Sequence, residues 1–184
     1  MAFLKGKMKE KVKSLNESPL NEYTLNSPAE LLDFADKNNI RVIPLDVSSL
    51  TKLLGITMRM EPMKGDESGS LKRGKDGVWV MTINSLHHPH RQRFTIAHEL
   101  AHFIKHTIIS DEFNDSVFFR DGKINKIETE ANKFAAELLM PETDFHNFIN
   151  EKSKTVEDIA LYFQVSSMAV RLRAKQLGYK GHNL

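Results

Sequence analysis

The apolar positions along this chain follow two periods, and the switches between them outline its elements. From Ser27 to Gly55 the spacing is helical. Ser27-Pro28-Ala29-Glu30 reads as a helix start, with Ser as N-cap, Pro at the first helical position and Glu in the capping-box position. Leu31, Leu32, Phe34 and Ala35 supply the apolar face, and Asn38-Asn39 ends the helix. Ile40, Val42 and Ile43 predict a short strand closed by Pro44. Asp46 caps a second short helix that carries Leu50, Leu53 and Leu54 and stops at Gly55. The period then drops to two. Ile56 to Met60 alternates as a strand does, and Val78 to Asn84 is the strongest strand of the chain. Met63 to Gly77 reads as loop, interrupted by a short strand around Ser70-Leu71, and Lys75-Asp76-Gly77 signals a hairpin turn.

From Pro89 the spacing is helical again. One long helix runs through His106, residues 107–124 read as loop, and a further helix runs from about Asn125 to Met140, where Pro141 stops it. Three more helical segments follow. This order predicts an α+β fold: a small, mainly antiparallel sheet backed by helices, with a helical C-terminal part. The expected division is an N-terminal helical extension over 1–24, a main domain over 25–150 and a C-terminal segment over 151–184. In that last segment Val156 to Phe163, the turn Gln164-Val165-Ser166 and a helix to Leu177 read as a helix-turn-helix.

Composition narrows the chemistry. The 184 residues include no cysteine, which excludes disulfides, a thiolate metal site and a cysteine nucleophile. Any metal must be held by His, Asp or Glu. The formal net charge of +2 gives no general signal for nucleic acid or membrane. The Lys-rich N-terminus lacks the apolar run of a secretory signal, and no stretch approaches the ~18 apolar residues of a membrane helix, so a cytoplasmic protein without a membrane partner is expected.

The chemistry centres on His98-Glu99-Leu100-Ala101-His102. Histidines four apart share a helix face and reach one ion, while Glu99, about 100° further round, sits beside that ion as a base for its water. Ala97, Leu100, Ala101 and Ile104 make the buried side. Zinc in such a site takes three protein ligands and an open position. The metzincin pattern asks for Gly and His where Lys105 and Ile108 stand, so it does not apply. His106 lies ~12 Å along the helix from His98, too far to share the ion, and is expected at the surface or behind a ligand. The remaining candidates are carboxylates of the next helix. Its apolar face is Ile127, Ala131, Phe134, Ala135, Leu138 and Leu139. Glu128 projects roughly 60° from the centre of that face, and Glu130 and Glu137 roughly 100° or more to the other side. Glu128 is the one most turned toward a neighbouring helix, and Asn132, one turn later, is placed to orient it or a ligating histidine.

RFTIAHELAHFIKH followed by ETEANKFAAELLMP resembles the ImmA/IrrE family of metallopeptidases, and GVWVMTIN and VSSMAVRLRAKQLG are similar to it as well. The likeness spans roughly residues 28–178. It implies a gluzincin-like minimal peptidase in which the glutamate of an E-x-x-x-N pattern completes the zinc site, here Glu128 with Asn132. It also implies a substrate: a helix-turn-helix transcriptional repressor, cleaved to relieve repression in a mobile-element or stress response. The expected site is therefore Glu99 as catalytic base, His98, His102 and Glu128 as zinc ligands, and an extended substrate added along the edge of Val78–Asn84, against Val80 and Thr82. His87, His88, Arg93 and Tyr162 are candidates to stabilise the oxyanion, and Trp79 is expected in the core. The alternative is a non-cleaving anti-repressor or DNA-binding module with a vestigial site, suggested by Arg171, Arg173, Lys175 and Lys180.

Overall fold

Burial of two helical stripes against one small sheet organises the molecule. The computed structural model describes residues 25–107, 109–114 and 122–179; the expected extension over 1–24, residue 108, the segment 115–121 and residues 180–184, Lys180 among them, lie outside these. Helix α1 (Pro28–Lys37) starts as its sequence dictates. Ser27 Oγ accepts from Glu30 N–H at 3.3 Å, and Glu30 Oε2 reaches back to Asn26 N–H at 2.7 Å. Helix α2 (Val47–Leu53) is capped by Asp46, which accepts from Ser49 N–H at 3.0 Å. The strand expected over Ile40–Ile43 is absent. Val42 instead makes a single bridge to Leu45 around the Ile43-Pro44 turn, because Pro44 has no N–H to extend a ladder.

The sheet comprises β1 (Thr57–Glu61), β2 (Gly69–Arg73), β3 (Trp79–Asn84) and β4 (Glu112–Asn114), in the order β1-β3-β2-β4. β2 runs antiparallel to both β3 and β4, and β1 runs parallel to β3, so the sheet is mixed with antiparallel pairings in the majority. β4 lies in the stretch expected as loop. β3 is internal: Val80 pairs with Thr57 on one side and Lys72 on the other, and Thr82 with Arg59 and Ser70. Its hydrogen-bonding edges are therefore taken, and strand addition there is ruled out. Val80 and Thr82 also alternate away from Met81 and Ile83, which are fully buried, so they face the side of the sheet opposite that core.

Helix α3 (Pro89–Lys105) packs across β2 and β3 and against α4 (Gly122–Leu139). Ala97, Leu100 and Ala101 on α3 and Ala131, Ala135, Leu138 and Leu139 on α4 are fully buried. Each buried Leu contributes about 1.5–3 kcal/mol, and the alanines let other groups approach closely. Helices α5 (Glu142–Glu151), α6 (Val156–Phe163) and α7 (Ser167–Gln176) complete the chain. Gln164, left-handed at φ 54°, turns α6 into α7, whose N-terminus Ser166 caps. This pair is tied to both central helices: Arg93 Nε of α3 donates to Gln164 O at 3.0 Å, and Arg173 Nε donates to Met140 O, just past α4, at 2.9 Å.

Candidate metal centre

α3 is the element that makes a centre possible, because every residue from Thr95 to His102 is buried, the chemical face as well as the apolar one. His88 Nδ1 accepts from His90 N–H at 3.2 Å and Pro89 opens the helix, which sets the phase of everything after it. His98, Glu99 and His102 are then all buried, at 6%, 1% and 1% exposure. Polar groups buried to this degree need partners. Glu128 of α4 supplies them to the two histidines: Oε2 lies 3.1 Å from His98 Nε2 and Oε1 lies 3.2 Å from His102 Nε2, while the two Nε2 atoms are 3.0 Å apart.

Two imidazole nitrogens and a carboxylate thus converge on one point. They are the one group of metal-ligating type found among the described residues. The edges of this triangle suit a tetrahedral ion. Ligand atoms ~2.0–2.1 Å from a tetrahedral ion stand roughly 3.3 Å apart, close to the spacing here. His98 Nδ1 lies 3.1 Å from Asn132 Oδ1, an acceptor that favours a proton on Nδ1, the tautomer in which Nε2 would turn its lone pair to an ion bound in place of the hydrogen bond to Glu128. The donor set is hard and borderline, with no sulfur, which suits zinc or manganese.

Electrostatics agree with this. Burial raises the Glu128 carboxyl, but hydrogen bonds from His102 and then His98 outweigh it and hold the group at about 2, so it is ionised at neutral pH. Burial lowers the His102 imidazole, with Glu128 opposing, which favours the neutral ring a metal requires. Glu99 stands outside the three-residue group, next in sequence to His98. A Cβ on Gly69 of β2 would stand 3.3 Å from its Oε1, so the carboxylate lies against the sheet at the mouth of β2.

Other expected residues have different places. His88 caps α3, Arg93 holds the α6–α7 turn, and Tyr162 packs on Phe148 at 4.5 Å between ring centroids. His87 Nε2 is 3.4 Å from Asn84 Nδ2, in the loop before α3. None of the four belongs to the cluster, and the structure assigns no oxyanion group. Trp79 is half-buried, edge-on to Phe103 at 5.9 Å. His106 is not at the surface: it is 3% exposed, with Nδ1 3.1 Å from Nδ1 of His102. Phe113 was missed by sequence reasoning altogether. It stacks on His102 at 4.7 Å and 19° from the three-residue β4, too short for alternation to show.

A histidine pair on one helix, facing a carboxylate from the next beside a small mixed sheet, defines the metallopeptidase class of site. Residues 36–175 match the model of the family described as the IrrE N-terminal-like domain, and the chain belongs to that family, the ImmA/IrrE metallopeptidases. It is 31% identical over 121 residues to Metallopeptidase ImmA of Bacillus subtilis (strain 168), across 62% of this chain and 66% of that protein. A Mycobacterium tuberculosis transcriptional regulator shares the fold, with a TM-score of 0.60 over 80% of this chain at 19% identity. The match spans 46% of that regulator, so the chain corresponds to about half of its length. No helix among the described residues is long and apolar enough to cross a membrane.

Proposed function

We propose that this protein is a zinc-dependent endopeptidase of the cytoplasm that cleaves a helix-turn-helix transcriptional repressor. The observation that carries the proposal is the meeting of His98, His102 and Glu128, all within 4.8 Å of one another, with Glu99 buried alongside. Zinc held there would polarise the scissile carbonyl and acidify a water molecule. Glu99, buried beside the cluster, would serve as the base that accepts a proton from the attacking water and as the acid that returns it to the leaving amine. Asn132 holds the His98 ring by accepting at Nδ1. Among the described residues β4 is the edge strand that borders the cluster, through Phe113 against His102. An extended substrate is therefore assigned to that edge rather than to β3.

The repressor as substrate rests on the family likeness; the site itself supports only the class of bond. Binding of DNA by the C-terminal helices is the weaker reading, since Arg173 is buried on Met140 O and is lost to phosphate. The test is incubation with the repressor encoded beside this protein, with and without chelator, read by product mass. Two defined fragments that vanish with chelator support the reading. An intact repressor bound in a stable complex with the zinc-loaded protein overturns it in favour of a non-cleaving anti-repressor.

A further inference from the structure

His98, His102 and His106 stand four apart on α3 and its cap, so their rings form one row up the helix face. Only the first two reach Glu128. His106 is buried all the same, with the Phe113 ring 6.3 Å from its own. An imidazole in such surroundings is costly unless its nitrogens have partners. Its Nδ1 lies 3.1 Å from Nδ1 of His102. Two ring nitrogens at that distance share one proton, donated by one and accepted by the other.

The opposite edge of His102 decides which one donates. Its Nε2 is the atom that faces His98 and Glu128. Nε2 offers a lone pair to a metal only when the proton of a neutral ring sits on Nδ1. His102 Nδ1 is then the donor, His106 Nδ1 the acceptor, and the His106 proton sits on Nε2. There Glu130 Oε2 stands 3.5 Å away, and Lys105 Nζ lies 3.7 Å from Glu130 Oε1. The His106–Glu130 approach is too long for a good hydrogen bond, but its charge favours a proton on that side of the ring.

We propose that His106 is a positioning residue for His102, accepting its Nδ1 proton and so fixing both tautomer and tilt. It does for the second histidine what Asn132 does for the first. Phe113, stacked on His102, closes the ring's face and leaves the Nδ1 bond to set rotation in its plane. The inference rests on the reading of the cluster as a metal centre.

The test uses the full chain and measures zinc affinity by competition with a chromophoric chelator. His106→Leu fills the space without an acceptor and is expected to weaken binding about 10–100-fold. His106→Asn, whose Oδ1 stands near the place of Nδ1, is expected to keep most of the affinity. Imidazole nitrogen–proton correlation NMR on the zinc-loaded wild type is the second measurement, needing no variant. It should find His106 protonated at Nε2 and bare at Nδ1. Wild-type affinity in His106→Leu, equal losses in the Leu and Asn variants, or a proton on His106 Nδ1 would each overturn the proposal. Zinc-loaded wild type with indifferent variants removes this inference alone, whereas wild type that binds no zinc removes the metal centre with it.

Discussion

Asn132 Oδ1 lies 3.1 Å from His98 Nδ1, and Asn132 stands one helical turn beyond Glu128 on α4. One row of α4 thus carries both a candidate ligand and the group that aims the opposing ring. The two roles are coupled, because the ring whose Nε2 faces Glu128 at 3.1 Å is the one whose Nδ1–H donates to Asn132 Oδ1. Asn132→Leu should therefore reduce zinc affinity about 10–100-fold while leaving the fold intact. Asn132→Asp, which preserves the acceptor, should bind at least as well. Chelator competition with both variants checks this, and unchanged affinity in the Leu variant would remove Asn132 from the site.

Glu99 is buried and Glu128 half-buried near one centre, but their substitutions should separate. Glu99→Gln should keep one zinc per chain and lose roughly 10²–10⁴ of the cleavage rate, as expected when a general base is removed. Glu128→Ala should lose most of the metal, since two imidazoles alone make a weak site. Metal content by mass spectrometry, read beside cleavage of the repressor, distinguishes them. A Glu99→Gln protein that still cuts would sink the assignment of the base.

Much of this arrangement was legible in the residues. The four-residue spacing of His98 and His102 sets a common face on any helix, and the apolar stripe of the next helix turns Glu128 and Asn132 inward whatever the sheet does. What stayed hidden depends on contacts distant in sequence. Val78–Asn84 alternates equally well as an edge or a central strand, so β1 on one side and β2 on the other could not be read from it. β4 contributes one inward residue, Phe113, and three residues carry no period. His106 was bounded by distance alone, which excluded a shared ion but said nothing of the Phe113 ring beside it.

Gly69 offers a test of how tightly β2 approaches α3. A Cβ there would come within 2.6 Å of Thr95 Cγ2, 3.2 Å of the Thr82 carbonyl oxygen and 3.3 Å of Glu99 Oε1. Gly69→Ala should destabilise the protein by about 1–3 kcal/mol through overpacking. Thr95→Ser removes the nearest methyl group and should recover part of that loss in the double variant. The Thr82 oxygen, being backbone, limits the recovery. Urea unfolding of the four proteins measures the coupling, and full additivity would show that the Thr95 methyl is not the obstacle.

The basic residues of α7 should divide by burial. Arg173 donates to Met140 O at 2.9 Å from a site 3% exposed, whereas Arg171 faces solvent. Arg173→Leu strands that carbonyl and should cost about 1–3 kcal/mol. Arg171→Ala should change stability by no more than about 0.5 kcal/mol. Equal effects in thermal or urea unfolding would mean that the Arg173 bond contributes nothing to docking α7 on α4.

Zinc itself should act as a cross-link between α3 and α4, because its ligands lie on two helices that separate when the chain unfolds. A ligand that binds only the folded state at about 100 times its Kd adds about 2.7 kcal/mol. For a domain of this size that corresponds to a rise of roughly 5–11 °C in Tm. Chelator should reverse the rise, and Glu128→Ala should abolish it while Glu99→Gln preserves it. The comparison of those two variants separates a shift due to the His98, His102 and Glu128 centre from one due to zinc adhering elsewhere. An equal shift in wild type and in Glu128→Ala would place the stabilising ion outside this centre.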